Sequence, residues 1–341
     1  MLKALFTSLF RLFPLPSKTG LIRIGNPNSR SPVFVTCNYE LTVKRVVEAL
    51  KGQDCYLLVA PTRGINVWCA ATGGILTENS VVIAIKTTGI GQLVEHRTLV
   101  LPQLSAAGID CDEIKRRTGW SCIFGPVYAK DIPAYIEAKF RKSPSMQLTE
   151  FALGQRLEQA ISPTVLLSLI SLPVILLIDR SLTGPVLLAV WLVSLFHYIF
   201  IFRIPGQFAY QKGLFVGILS MIIYFSCLGF RGDASWKGYI FGGLGLILLS
   251  LLISLEVPSV SPLWRCFRSR LKETGLRNHS INIHLEKCNG CRRCLSVCPK
   301  GCFEVLNESK KANLLDERVC LKCRACIRQC HPEALEFARA G

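Results

Sequence analysis

From residue 33 to residue 140, short apolar runs alternate with stretches in which apolar residues recur every three or four positions. Val33-Phe34-Val35, Cys55 to Ala60, Thr98 to Leu101 and Ser121 to Phe124 read as strands. Leu41 to Leu50 predicts a helix, because Leu41, Val43, Val46, Val47 and Leu50 leave Lys44, Arg45 and Glu48 for another face. Glu78 to Lys86, Asp110 to Arg117 and Asp131 to Phe140 read as further helices. Asp110 to Arg117 places acidic residues early and basic residues late, as the helix dipole prefers, and Pro133 sits in the first turn of its helix. Strands and helices alternating at this spacing predict an α/β domain around a mostly parallel sheet.

The pattern then changes. Four apolar blocks, about 162–178, 185–202, 213–230 and 238–255, carry charged residues only at their edges. Each is near the length of a membrane-crossing helix, so the pattern predicts a helical transmembrane domain. Pro163 falls at the start of the first block, and Pro173 predicts a kink within it. Lys139, Arg141, Lys142 and Arg156 precede the blocks, and Arg265, Arg268, Arg270 and Lys272 follow them. Arg203 and Lys212 add to that side, against Arg180, Arg231 and Lys237 on the other. The positive-inside rule then predicts a multi-pass protein of the cytoplasmic (inner) membrane, with both termini and both soluble domains cytoplasmic.

Six segments follow: an amphipathic N-terminal segment over 1–29, the α/β domain over 30–140 and a basic linker over 141–161. The helical domain over 162–255, a second basic linker over 256–279 and a cysteine-rich domain over 280–341 complete the chain. The first residues lack a small-residue cleavage site, and Arg11 interrupts them, which favours an interfacial segment over a signal peptide. The formal net charge of +17 beside 50% apolar residues suits basic aqueous parts facing a lipid bilayer. No recognisable module or basic stripe interleaved with aromatics points to nucleic acid.

Of the 16 cysteines, two groups stand in ordered runs. Cys288, Cys291, Cys294 and Cys298 precede Pro299; Cys320, Cys323, Cys326 and Cys330 precede His331-Pro332. Both runs have the C-x2-C-x2-C-x3-C spacing of two-cluster bacterial ferredoxins, in which the fourth cysteine ligates the other cluster. The expectation is an α+β ferredoxin domain with two [4Fe-4S] clusters. Cys288, Cys291, Cys294 and Cys330 hold one; Cys320, Cys323, Cys326 and Cys298 hold the other. In the second run His331 stands where the motif places proline directly. Cys302 lies outside both runs, and Cys37, Cys55, Cys111 and Cys122 share no ligand spacing.

Asn66-Val67-Trp68-Cys69-Ala70-Ala71-Thr72-Gly73-Gly74 follows the Cys55–Ala60 strand, where open α/β sheets place their ligands. Asn66 is placed to start a short helix, with Cys69 in its first turn, where the positive helix end favours thiolate. The small residues after Cys69 allow a large flat partner to approach the backbone. These residues alone leave a buried structural thiol and a functional one both open.

The stretch from Asn66 to Ala71 resembles the cap helix of the corrinoid protein of microbial mercury methylation. Val35-Thr36-Cys37-Asn38-Tyr39, Thr88-Gly89-Ile90, His96 to Leu104, Thr118-Gly119-Trp120 and Phe124-Gly125-Pro126 extend the resemblance. That family is membrane-bound, is related to the corrinoid iron-sulfur protein of the acetyl-CoA pathway, and works with a separate two-cluster ferredoxin. The resemblance implies a natural fusion of the two, with a Rossmann-like α/β domain. It also implies a cobalamin-type corrinoid with Cys69 below cobalt and Asn66, Val67, Trp68, Ala70, Ala71, Thr72 and Gly73 around it. The activity it implies is membrane-associated methyl transfer, with Hg(II) as the family acceptor and electrons supplied to cobalt by the ferredoxin. A methyl donor protein or methyl-folate system and an external electron donor would be the partners. The alternatives are a membrane-bound iron-sulfur electron-transfer protein and a corrinoid-binding protein without turnover.

Overall fold

A computed structural model describes residues 14–256, except 179, 181–182, 201–202, 206–208 and 232–235, and residues 279–339 except 318. Most of the second basic linker, and residues 1–13 of the N-terminal segment, lie outside the described residues. The described residues divide into two compact units: Pro14–Glu150 with residues 279–339, and residues 151–256.

The first unit opens with β1 (Gly20–Ile24), β2 (Val33–Cys37), α1 (Glu40–Ala49) and β3 (Cys55–Ala60). There follow α2 (Val67–Thr72), α3 (Glu78–Thr88), α4 (Ile90–Leu93), β4 (Thr98–Leu101) and a 3-10 turn, Gln103–Ala107. After α5 (Cys111–Thr118) and β5 (Ser121–Phe124) come α6 (Ile132–Glu137) and α7 (Pro144–Gln147). The sheet order is β1-β3-β2-β4-β5. β2 is parallel to β3 and β4, with Val35 opposite Leu58 and Val33 opposite Leu99, and β4 is parallel to β5. Only β1 runs antiparallel, along β3.

The chain leaves β2 toward β3 on one side and returns to β4 on the other. The crevice at the carboxyl ends of β2 and β4 is therefore the topological switch point of the sheet. Both faces are covered. Val33, Val35, Leu58, Ala60 and Leu99 pack with Val67, Val81, Ile85 and Ile114. Phe34, Leu57, Val59 and Val100 pack with Val43, Leu50, Ile132 and Tyr135. Every residue of β3 is buried, which explains its unbroken apolar run, since a strand covered on both faces has no polar side to show. Full burial of each Leu or Val stabilises by roughly 1.5–3 kcal/mol.

Two local expectations change. The helix placed over Asp131 to Phe140 ends at Glu137, where Lys139 and Phe140 turn left-handed. β1 falls within the segment expected to be amphipathic and interfacial. Its Leu21, Ile22 and Ile24 lie along the apolar edge of β3.

The cysteine-rich portion contains β6 (His279–Ile283) paired antiparallel with β9 (Leu335–Arg339), so that Ile281 faces Phe337. Between them lie α12 (Arg293–Val297), the hairpin of β7 (Phe303–Val305) and β8 (Ala312–Leu314), and α13 (Ala325–Arg328). The loop before α12 repeats before α13. Gly290 and Arg292, then Lys322 and Arg324, take left-handed conformations at the same offsets around Cys291 and Cys323. For a non-glycine residue this costs roughly 1–2 kcal/mol, so the surroundings must enforce it.

The second unit contains α8 (Leu153–Ile178), α9 (Thr183–Phe200), α10 (Ala209–Arg231) and α11 (Trp236–Glu256). α8 starts earlier than its apolar block, so Pro163 lies inside the helix with Pro173 and not at its start. On α10, Gly213 and Gly217 lie against Leu251 and Ile247; a Cβ there would sit 3.0 and 2.9 Å from their Cα atoms. The expected multi-pass topology is corrected. Among the described residues two helices are long and apolar enough to cross a membrane, Leu153–Leu177 and Thr183–Phe200. The apolar stretches Tyr210–Ser226 and Gly242–Ser254 are shorter. The placement in the inner membrane, with both termini cytoplasmic, rested on four equivalent spans and does not stand.

Candidate functional site

The strained loops of the cysteine-rich portion each wrap a cavity. One is lined by Cys298, Cys320, Cys323 and Cys326, with Ile281, Phe303 and Phe337 as apolar walls. The other is lined by Cys288, Cys291, Cys294 and Cys330, with Ile283 and Leu335. The fourth cysteine of each run thus stands in the cavity of the other run.

Backbone N–H groups point at the sulfurs. Lys322 donates to Cys320 Sγ at 3.3 Å and Cys302 to Cys298 Sγ at 3.3 Å. Ala312 donates to Cys288 Sγ at 3.4 Å and Ala334 to Cys330 Sγ at 3.2 Å. Such bonds favour thiolate and tune a bound cluster. At Gly290 any Cβ would collide with the Lys310 carbonyl, so only glycine lets that loop close.

Hydrogen bonding from the Cys302 thiol, helped by backbone N–H groups, holds the Cys298 thiol below its ordinary value. Cys320 shares that one thiol hydrogen and is lowered in the same direction. Burial pushes Cys294 and Cys323 up to about 12, so those two become thiolates only when bonded to metal. Among the described residues no three His, Cys, Asp or Glu side chains converge on one metal ion. Four thiols spread around a cavity instead suit a multi-atom cluster. Lys300, Lys322, Arg324, Arg292 and Arg293 line the two cavities and oppose the negative charge of such a cluster.

The second locus is at the switch point. Asn66 caps α2 by accepting the Cys69 N–H at 2.9 Å, which places Cys69 in the first turn. Cys69 keeps 8% of its surface exposed, Ala70 and Ala71 are buried, Asn66, Trp68 and Thr72 are half-buried, and Gly73 is exposed. Thr72 Oγ1 donates back to the Trp68 carbonyl at 2.9 Å. Upstream, Asn38 at the end of β2 accepts the N–H groups of Thr62 and Gly64 at 2.8 and 2.9 Å. That side chain ties the carboxyl end of β2 to the loop leading into α2. On the far side Gly108 meets α2 so closely that a Cβ would lie 2.6 Å from the Ala71 carbonyl oxygen.

Three relationships escaped the reading of residue spacing. Cys302 is buried between Cys298 and Cys320 and hydrogen-bonds both thiols. Cys111 hydrogen-bonds Cys122, although the two share no ligand spacing. The α/β and cysteine-rich portions, separated in sequence by the helical block, form one compact unit.

Residues 7–136 match the family described as CO dehydrogenase/acetyl-CoA synthase delta subunit. Residues 281–304 match the 4Fe-4S binding domain, which covers the first cysteine run. Curated relatives are acetyl-CoA decarbonylase/synthase complex subunits gamma. The protein of Methanopyrus kandleri is 38% identical over 126 residues, which is 36% of this chain and 27% of that one. That of Methanocaldococcus jannaschii is 36% identical over 114 residues, 33% of this chain and 23% of its own. That of Archaeoglobus fulgidus is 35% identical over 126 residues, 36% and 26%. The chain therefore matches about a quarter of the length of these relatives.

These similarities correct the resemblance to mercury methylation. The matched stretch contains the α/β portion and its Asn66–Ala71 segment, and the family and relatives it selects are named for acetyl-CoA chemistry. The short cap-like segment and strand ends are features of an α/β scaffold that several chemistries can share, so they did not discriminate the acceptor.

Proposed function

We propose that the chain is an iron-sulfur electron-transfer component that also carries a corrinoid, serving one-carbon transfer in a system like acetyl-CoA decarbonylase/synthase. The observation that carries this reading is the pair of four-cysteine cavities in the same compact unit as the Cys69 helix. The cavities fit two [4Fe-4S] clusters: Cys298, Cys320, Cys323 and Cys326 would hold one, and Cys288, Cys291, Cys294 and Cys330 the other.

The α2 region fits a corrinoid in its chemistry. Cys69 offers a soft sulfur donor suited to cobalt, and the exposed Gly73 leaves the backbone at the end of α2 approachable, whereas Ala70 and Ala71 are packed inside. When bound, the corrinoid supplies the methyl-transfer chemistry. The chain positions it through the Asn66 cap and the Asn38 clasp and supplies electrons from the clusters. The partners required are a methyl donor, as a protein or a methyl-folate type compound, a methyl acceptor, and a low-potential electron donor.

Anaerobic reconstitution tests both halves. The expected content is about eight irons and eight acid-labile sulfides per chain. The chain should bind hydroxocobalamin, and Cys69→Ala should alter the visible spectrum in a matched oxidation state without loss of iron. Clusters present with no corrinoid bound would leave a plain electron-transfer protein, a reading that the eight cavity cysteines already favour on their own. Stoichiometric zinc without sulfide would remove the cluster assignment altogether.

A further inference from the structure

The second cysteine run departs from the ferredoxin pattern at His331, which separates Cys330 from Pro332. In the structure His331 Nδ1 pairs with the carboxylate of Asp112 on α5. Its neighbours also reach the α/β portion. Arg328 bonds Glu78 of α3 at 3.1 Å. Gln329, 5% exposed, gives its side-chain amide N–H groups to the carbonyls of Ala106 at 3.0 Å and Ile109 at 2.7 Å. Three residues of one turn thus grip α3, α5 and the segment that joins β4 to α5.

Beneath these bonds lies a small apolar patch. Ala106, Val297 and Ala325 are buried together, with Cys323, Ala107 and Phe124 packed against them. Cys323 belongs to the cavity of Cys298, Cys320 and Cys326; that patch includes no cysteine of the other cavity. The far edge is held by Lys142, whose Nζ donates to the Ser296 carbonyl at 2.7 Å, and by Thr149, whose N–H donates to the Pro299 carbonyl at 2.9 Å. The 3-10 turn carrying Ala106 and Ala107 also packs on α2, the helix of Cys69.

We propose that Ala325 to His331 is a docking element that holds the Cys298, Cys320, Cys323 and Cys326 centre as the exit point for electrons to the group bound beside α2. The assignment rests on the functional reading above. A polar grip with a buried amide at its middle fixes orientation, since leaving the Gln329 amide or its carbonyl partners unpaired is costly. His331 is then no defect of the cysteine motif. It is the residue by which this ferredoxin portion recognises its own α/β portion. In each transfer one reduced [4Fe-4S] cluster loses one electron. With hydroxocobalamin as probe, cobalt(III) becomes cobalt(II), and the hydroxide ligand leaves as water with a solvent proton.

The test uses the full chain with clusters reconstituted, pre-reduced with dithionite, desalted and mixed anaerobically with hydroxocobalamin at saturating concentration. Wild type should show a first-order absorbance change whose rate is independent of protein concentration. Gln329→Leu should keep iron and sulfide, lower that rate at least tenfold, and raise hydrogen exchange at the Gly108 and Ile109 amides. His331→Ala and Arg328→Ala, which alter partly exposed side chains, should do the same to a smaller extent and serve if Gln329→Leu loses iron. Unchanged exchange and rate in all three variants would overturn the docking element. Raised exchange with an unchanged rate would overturn the exit assignment. Failure of wild type to bind hydroxocobalamin would sink the functional reading instead, and exchange at Gly108 and Ile109 would still decide whether the element docks.

Discussion

The backbone N–H of Cys302 donates to the sulfur of Cys298 at 3.3 Å. The Cys302 thiol also hydrogen-bonds Cys298 and Cys320. Cys302 thus offers hydrogen bonds to two of the proposed cluster ligands from outside both cysteine runs. Hydrogen bonds to cluster sulfur stabilise the reduced, more negative state and raise its potential. Cys302→Ala keeps the backbone donor and removes the thiol. One such bond is worth about 1 kcal/mol, or about 40 mV in a one-electron couple. The expected result is full iron content with a potential lowered by roughly that amount, read by a redox titration followed by EPR. An unchanged or raised potential would show that the thiol does not donate to the cluster.

Cys298 and Cys330 stand in the cavities of the opposite runs. Cys298→Ala should therefore perturb the cluster served by Cys320, Cys323 and Cys326, and Cys330→Ala the one served by Cys288, Cys291 and Cys294. Each should lose up to half of the roughly eight irons. Mössbauer or EPR signals of the two variants should be complementary. If each substitution damages the cluster of its own run, the crossed pairing is wrong.

Gly108 has an ordinary negative φ, so its requirement for glycine is one of space. A Cβ would lie 2.6 Å from the Ala71 carbonyl oxygen and 2.7 Å from the Ala71 Cα, both in α2. Gly108→Ala should push α2 away from the Gln103–Ala107 turn at a cost of about 1–3 kcal/mol. The loss should appear as a lower melting temperature and weaker hydroxocobalamin binding, with both clusters retained. Wild-type stability and binding would show that α2 yields without penalty.

Lys142 bridges Gln103 at 2.9 Å and the Ser296 carbonyl at 2.7 Å, and burial lowers its pKa to about 8 from 10.5. Its folded value lies below the unfolded one, so the unfolded chain binds more protons between those two pH values. Stability from this group therefore rises as pH increases from about 8 to 10.5, and the penalty of burying its charge is fully felt below 8. Lys142→Met should flatten the difference in melting temperature across that window relative to wild type. Parallel curves for the two proteins would show that Lys142 is not the titrating group.

The strands and helices between Val33 and Phe124 were legible because their cause is local. Buried strands need unbroken apolar runs, and Leu41 to Leu50 repeats its apolar residues at the helical period. Cys288, Cys291 and Cys294 are brought together at one loop and the helix start after it through spacing alone. β1 was not legible: five residues, Gly20–Ile24, form a strand only because β3 offers them an edge. Beside α2 the residues by themselves showed a cysteine among small residues and the resemblance implied a corrinoid, but a short segment on a common scaffold could not say which acceptor is served.

What only the tertiary structure decided lies further apart along the chain. The motif already paired Cys330 with the first run, and the structure adds how it gets there: β9 pairs with β6 and brings the chain back to that cavity. Cys302 comes between Cys298 and Cys320, although its own spacing matches no ligand pattern. His331 looked like an irregularity of a motif until Asp112, more than two hundred residues earlier, appeared opposite it. Spacing reports which residues share a turn or a face, because that geometry is set within a few bonds. The meeting of Gln329 with Ala106 and Ile109 depends on how two folded portions far apart in the sequence pack on each other, and no local preference encodes it.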